Sequence, residues 1–163
     1  MSHRNEIRSY DYVNHPYARV REALSEDPER IFSAATRAAT SRARSVASEL
    51  RVNVGGLEIS AEVDVSVGEI EHRAADASGG AQSRIPIRWE ASNRPHLFPL
   101  MDAELSIYPL TPTETQLDFL GRYQPPLGVL GGAIDAVAGH RIAEASVHRF
   151  VSDVAAYLRK SLT

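Results

Sequence analysis

A histidine, a carboxylate and a phenol carry the chemistry this sequence has to offer. His140 and Glu144 stand four residues apart in AVAGHRIAEASVHRF. On a helix that spacing puts an imidazole and a carboxylate on one face, one turn apart. Such a pair can hold and pass a proton near neutral pH, or orient a polar group of a ligand. It can equally be a structural histidine satisfied by its neighbour, because a buried ring left without a hydrogen bond costs ~1–3 kcal/mol. Tyr123, in the strand-like run LDFLGRY, adds a hydroxyl that can donate or accept. The candidate catalytic residues are therefore His140, Glu144 and Tyr123.

Other chemistries lack their residues. The chain has no cysteine, which excludes disulfides, thiolate metal sites and a cysteine nucleophile. Its six histidines lack ligand spacing, and no metal or cofactor site is expected. His140 and His148 lie two helical turns apart but ~80° apart around the axis, a poor pair for one ion. No Gly-x-Ser-x-Gly elbow and no phosphate-binding loop occur. Net charge is −3 and no basic block stands out, so nucleic acid is not an expected partner. Arg37, Arg42 and Arg44 form the densest basic stretch, read as a solvated helix end and loop. Arg122 and Arg141 could attract an anionic ligand group, although Arg122 has the parity of an outer sheet face.

The elements that must place these residues follow from periodicity. The 163 residues suit one domain over 1–163, with the first ~10 residues loose. Tyr17 to Leu24 alternates, and predicts a first strand with Val20 and Leu24 inward. Asp27-Pro28 is a helix start, with Asp27 as N-cap and Pro28 in the first turn. A short cover helix follows to about Thr40, with Ile31, Phe32 and Ala35 inside. From Val46 the period becomes two: one strand to Val54, a hairpin at Gly55-Gly56, and a return strand from Leu57 to Val67. After a loop from Ala74 to Ser83, three more rows face inward: Ile85, Ile87, Trp89 and Ala91; Met101, Ala103, Leu105 and Ile107; Leu117, Phe119, Gly121 and Tyr123. The polar N-terminus has no signal-peptide core and no apolar run reaches the ~20 residues of a bilayer span, so a cytoplasmic protein without an integral membrane segment is expected.

A sheet with one apolar face needs a cover. The remaining segment is a helix from Ala133 to Leu162. Its inner face carries Ala133, Ala136, His140, Ala143, Val147, Val151, Val154 and Leu158, with Phe150, Ala155 and Glu144 flanking. Bulk lines the C-terminal half. The N-terminal half is small residues around His140. Those small residues allow either close packing on the sheet or an unfilled volume beneath the helix, and periodicity does not choose. Trp89 and Tyr123 are correspondingly either ligand lining or core. Ile134, Ala138 and Ile142 make a weak outer stripe, read as a homodimer contact or as ordinary surface hydrophobes.

The order of elements, with Trp89-Glu90, Leu97-Phe98-Pro99 and the junction LDFLGRYQPPLGVLGGAID, resembles the START-like helix-grip superfamily, also called SRPBCC. That group includes polyketide cyclase/dehydratase-like and lipid-transport-like proteins, and the junction is similar to uncharacterised bacterial members. The resemblance implies an α+β helix-grip fold: a curved antiparallel sheet of about six strands around a long C-terminal helix, with a short helical cover after the first strand. It also implies a cavity between sheet and helix for a hydrophobic small molecule, lined by Trp89, Phe119, Tyr123, Ala136, His140 and Ala143. Pro125 and Pro126 would end the last strand, and Gly128, Gly131 and Gly132 would let the chain reverse at the cavity's lip.

Three functions fit that implication. One is a carrier, sensor or accessory protein that binds an apolar ligand. Another is a cyclase/dehydratase-type enzyme in which His140, Glu144 or Tyr123 moves protons. The third is a protein-interaction domain whose cavity is filled by its own side chains.

Overall fold

A computed structural model describes residues 5–49, 63–91, 100–124 and 136–162. Within them the order is β1 (Glu6–Val13), α1 (Tyr17–Glu26), α2 (Pro28–Glu49), β2 (Val63–Val67), β3 (Glu71–Arg73), β4 (Gln82–Ala91), β5 (Leu100–Thr111), β6 (Glu114–Gln124) and α3 (Ala136–Ser161). The strands form one antiparallel sheet in the order β1-β6-β5-β4-β2, with β3 beside β2 on the same edge of β4. α3 packs on β1 and β6, and α2 packs on α3 and β2. This is an α+β helix-grip arrangement, as the resemblance implied.

The three central strands follow their alternation. Ile85, Ile87 and Trp89 are buried on β4, Met101, Leu105 and Ile107 on β5, and Leu117, Phe119 and Tyr123 on β6. Their polar partners face outward and pair across strands: Arg84 with Glu104 at 3.8 Å and Arg88 with Asp102 at 3.7 Å. Register places Val65, Trp89, Met101 and Tyr123 in one row across β2, β4, β5 and β6.

The N-terminal half departs from expectation. The first strand is Glu6–Val13, which begins inside the ~10 residues expected to be loose and ends beyond them, and Tyr17–Glu26 is a helix. A strand there would have turned Glu22 to the same face as Val20 and Leu24. The helix buries Val20 and Leu24, one turn apart, and leaves Glu22 in solvent. β1 reads poorly as a strand because its inward row is Ile7, Ser9, Asp11 and Val13, half of it polar. Each polar member has a partner instead. The Ser9 hydroxyl meets His148, and Asp11 accepts from Arg159.

Asp27 does cap the next helix, accepting from the Arg30 amide at 3.3 Å. But α2 continues to Glu49, past Thr40, and Val46 completes its buried stripe of Ile31, Phe32, Ala35, Ala39 and Ala43. Thr36 and Thr40 satisfy their buried hydroxyls on the carbonyls of Phe32 and Thr36. Val46 to Glu49 is thus helix rather than strand, and α2 is a second full rod beside α3 rather than a short cover. The rest of that expected strand, the Gly55-Gly56 hairpin and the start of the return strand lie outside the described residues, as does the Pro125–Asp135 junction. β3, not expected, pairs Glu71–Arg73 with β4 and continues the edge that β2 begins.

One aromatic cluster joins the layers. The Phe150 ring of α3 lies 5.0 Å from Trp89, 5.6 Å from Phe119 and 5.8 Å from Phe32 of α2. Trp89 and Phe119 stack at 5.9 Å although they lie in different rows of the sheet. Gly121 makes this possible. A Cβ there would stand 2.8 Å from the Phe119 ring and 2.7 Å from the Met101 sulfur, so the ring leans into the space a side chain would occupy.

Two polar anchors close the ends. The buried Ser83 hydroxyl is shared by the Tyr17 hydroxyl and His72 Nδ1, both at 2.7 Å, tying α1 and β3 to β4. In the last turns of α3, Arg159 donates to the Asp11 carboxylate and the Tyr12 carbonyl, both at 2.6 Å.

Substituting Phe150→Ala is expected to cost ~3–5 kcal/mol in urea unfolding, because it opens a cavity between three layers. Gly121→Ala is expected to cost ~1–3 kcal/mol through overpacking. A neutral Gly121→Ala would show that the Phe119 ring does not need that space.

Candidate functional site

α3 carries His140, Glu144 and His148 at successive intervals of four, along the margin where the helix leaves the sheet. Gly139, Ile142, Ala143, Ser146, Val147, Phe150 and Val151 form the adjoining buried face. The wheel is therefore turned slightly from the expected one. His140 is about half-exposed rather than central, Glu144 is exposed, and Phe150 is central rather than flanking. Ile142 is buried in the core, so it does not belong to an outer stripe. Ile134 lies outside the described residues.

The three expected polar residues come together. The Tyr123 hydroxyl lies 3.0 Å from His140 Nδ1. The other ring nitrogen, Nε2, lies 3.7 Å from one oxygen of Glu144. With the phenol donating to Nδ1, a neutral imidazole carries its proton on Nε2, directed at the carboxylate. Burial also raises the Tyr123 pKa above its ordinary 10.0, which keeps the phenol protonated.

The same arrangement is repeated one turn further along. His148 Nε2 lies 3.8 Å from the other oxygen of Glu144, and its Nδ1 lies 3.0 Å from the Ser9 hydroxyl. One carboxylate thus stands between two imidazoles, and each imidazole is held by a hydroxyl from the sheet. The sequence reading paired Glu144 with His140 but missed His148 and Ser9. The signal was the His-x-x-x-Glu-x-x-x-His spacing. Ser9 had none, because its partner is 139 residues away. Chemically, Glu144 faces both rings at 3.7 and 3.8 Å, beyond hydrogen-bond length, so it acts on them as a nearby charge while the hydroxyls of Tyr123 and Ser9 orient them. Among the described residues no cluster of three or more possible ligands is arranged to hold a metal ion.

The other expected lining residues are placed differently. Trp89, Phe119 and Ala143 have 0% exposure, so they meet only protein atoms. Trp89 and Phe119 belong to the aromatic cluster. Tyr123 keeps 4%. The side chain of Ala136 lies outside the described residues. The aromatic cluster thus packs the middle of the sheet against α3, and the Tyr123–His140 pair lies on its N-terminal side along α3. Arg122 faces outward, as its parity indicated, and pairs with Glu6 at 3.7 Å.

No family model and no curated protein matches the chain. Three solved structures are similar in outline. The Zhui aromatase/cyclase from a Streptomyces species superposes with a TM-score of 0.48 at 14% identity, over 97% of this chain and 95% of that one. A protein from Thermus thermophilus gives 0.43 at 13%, over 97% and 99%. A START superfamily protein from Mycobacterium smegmatis gives 0.40 at 12%, also over 97% and 99%. Among the described residues no helix is long and apolar enough to cross a membrane.

The raised Tyr123 pKa has a consequence for stability. A phenol whose pKa rises on folding favours the folded state while it is protonated. That contribution is complete below the ordinary value of 10.0 and is lost as pH climbs through the raised one. Tyr108, also raised by burial, acts with the same sign. Unfolding free energy measured against pH should therefore fall more steeply above pH 10.0 in the wild type than in Tyr123→Phe. Parallel profiles would show that the Tyr123 hydroxyl does not carry the effect.

Proposed function

We propose that the protein binds a hydrophobic small molecule between the sheet and the N-terminal half of α3, as a carrier, sensor or accessory protein. One observation carries this reading. Beside the buried apolar side chains of Trp89 and Met101, the Tyr123 phenol and the half-exposed His140 imidazole are hydrogen-bonded to each other. An apolar wall ending in a few convergent polar groups is the usual make-up of a small-molecule site. In this reading Tyr123 and His140 touch the ligand's polar atom. Trp89, Phe119 and Ala143 form the closed floor behind them. The START-like resemblance likewise implies a cavity between the sheet and this helix.

Mass spectrometry under native conditions should show an added mass on the protein as purified. Titration with the neutral dye Nile red should saturate. Tyr123→Phe and His140→Gln should each weaken the dye about fivefold, the equivalent of one hydrogen bond of ~1 kcal/mol. Neither an added mass nor saturable dye binding would overturn the proposal.

The Glu144 bridge favours a second reading, a cyclase/dehydratase-type enzyme that moves protons through Tyr123, His140 and Glu144. Here a poly-β-keto thioester should be turned over by the wild type. Turnover should fall ~10²-fold or more in His140→Gln and Glu144→Gln while Nile red binding persists. Turnover unchanged in both variants would remove this row from any mechanism.

A further inference from the structure

Beyond the Tyr123–His140 end, α3 borders an open groove of about 830 Å³ between β1, α2 and α3. Ser9, Tyr10, Glu144 and His148 line it. The Ser9 hydroxyl lies 3.0 Å from His148 Nδ1, and His148 Nε2 lies 3.8 Å from Glu144. In space the order is hydroxyl, imidazole, carboxylate. At 3.8 Å the carboxylate is a nearby charge, and a negative charge favours a proton on the ring nitrogen that faces it. A neutral His148 therefore carries its proton on Nε2 and leaves the Nδ1 lone pair for Ser9. The serine donates, which is the arrangement of a nucleophile beside its general base. No serine elbow is needed in the sequence, because the edge strand and the helix bring the two residues together across 139 positions.

The backbone of the edge strand adds a donor. β1 ends the sheet, with β6 on one side and no strand on the other among the described residues. The Tyr12 amide donates to the Asp11 carboxylate at 2.8 Å, and the Tyr12 carbonyl accepts from Arg159 at 2.6 Å. Both groups thus point away from β6. Along an antiparallel strand this direction alternates from residue to residue, so Tyr10 also turns its N–H to the free edge. That donor is one peptide unit from Ser9, where it can stabilise the oxyanion of acyl transfer. From this geometry we infer a catalytic site for the hydrolysis of short-chain carboxylic esters, with Ser9 as nucleophile and His148 as general base. Ser9 is largely covered, but it lines the groove, and the ester reaches it from there. Ser9 Oγ bonds to the ester carbonyl carbon as its proton passes to His148 Nδ1. The carbonyl oxygen takes the negative charge beside the Tyr10 N–H. The bond to the alcohol oxygen then breaks, and that oxygen leaves with the proton from His148. Water attacks the acyl-Ser9 carbonyl and gives a proton to His148, which returns it to Ser9 as the carboxylic acid departs. Glu144 faces the imidazolium formed in each step. Arg42, Glu49, Arg141 and Arg149 are among the groove's walls, so a short acyl chain suits it better than a long one.

The test incubates the full chain with paraoxon, an organophosphate that phosphorylates serines activated by a neighbouring base, and maps the adduct by peptide mass spectrometry. The wild type should carry a diethyl phosphoryl group on Ser9 and hydrolyse p-nitrophenyl acetate above the rate in buffer. Ser9→Ala should lose both the adduct and the hydrolysis. His148→Gln, a change at an exposed position, should slow both ~10²-fold. Glu144→Gln should lower kcat for p-nitrophenyl acetate ~10-fold with KM unchanged, the mark of an interaction made only in the transition state. Circular dichroism should show the variants folded; if Ser9→Ala is not, the wild-type adduct map and His148→Gln decide. Neither Ser9 nor His148 enters the Tyr123–His140 readings, so Nile red binding should persist in His148→Gln whatever becomes of the ester. The inference is overturned by no adduct on Ser9, or by ester hydrolysis unchanged in Ser9→Ala, His148→Gln or Glu144→Gln.

Discussion

The fold depends on four aromatic rings that have to meet at one place. Phe150 supplies the meeting point, touching Trp89 and Phe119 from the sheet and Phe32 from α2. Much of the nearby sequence serves that contact. Gly121 leaves room for the Phe119 ring to lean toward Trp89. The alanines of α2 at positions 35, 39 and 43 let that helix lie close enough to α3 for Phe32 to reach Phe150. Small residues here are the condition for large ones to pack, which is how a dense interior is built. The cluster also decides where a ligand cannot go, because it closes the middle of the grip.

Polar groups inside the grip are few, and those of the site are paired. Ser9, buried on β1, meets His148, while Tyr123, buried on β6, meets His140. Each imidazole gives one nitrogen to a buried hydroxyl and turns the other toward Glu144. The sheet thereby fixes the orientation of both rings, and the helix needs only to space them one turn from the shared carboxylate. On the outer face the pairing is by charge. Arg8 of β1 grips Asp118 of β6 through two nitrogens at 3.2 and 3.1 Å. That contact holds the edge strand in register where its inward row has little apolar area to offer.

Much of this was legible in the sequence, where a segment's own residues decide its state. β4, β5 and β6 alternate cleanly because one face meets the core along their whole length. Asp27-Pro28 marks its helix start through local hydrogen bonding alone. The failures lie where distant partners decide. β1 carries Ser9 and Asp11 inward, and only residues of α3 make that tolerable. Tyr17 to Leu24 has apolar residues at a spacing that fits two periods, and the cost of burying Glu22 settles it in favour of the helix. Val46 looked like the start of a strand because valines follow at even intervals, yet it is the last member of a helical stripe. For the site, His140, Glu144 and Tyr123 were legible as a helix-and-strand constellation. His148 and Ser9 complete it through a contact that local spacing cannot reveal.

The placement of β1 sets an order of events during synthesis. Ile7 pairs with Gly121 and Val13 with Thr115, so the strand made first waits for more than a hundred residues before its neighbour exists. Its Asp11 then waits further for Arg159 in the last turns of α3. Pairings so distant along the chain form late and slowly, because the intervening loop must close before any contact rewards it. A nascent chain can hold β4, β5 and β6 together before α3, and with it Arg159, has been made. During that interval the inner face of β6 and the Phe150 docking place stand open to chaperones, and to other copies of the same strand.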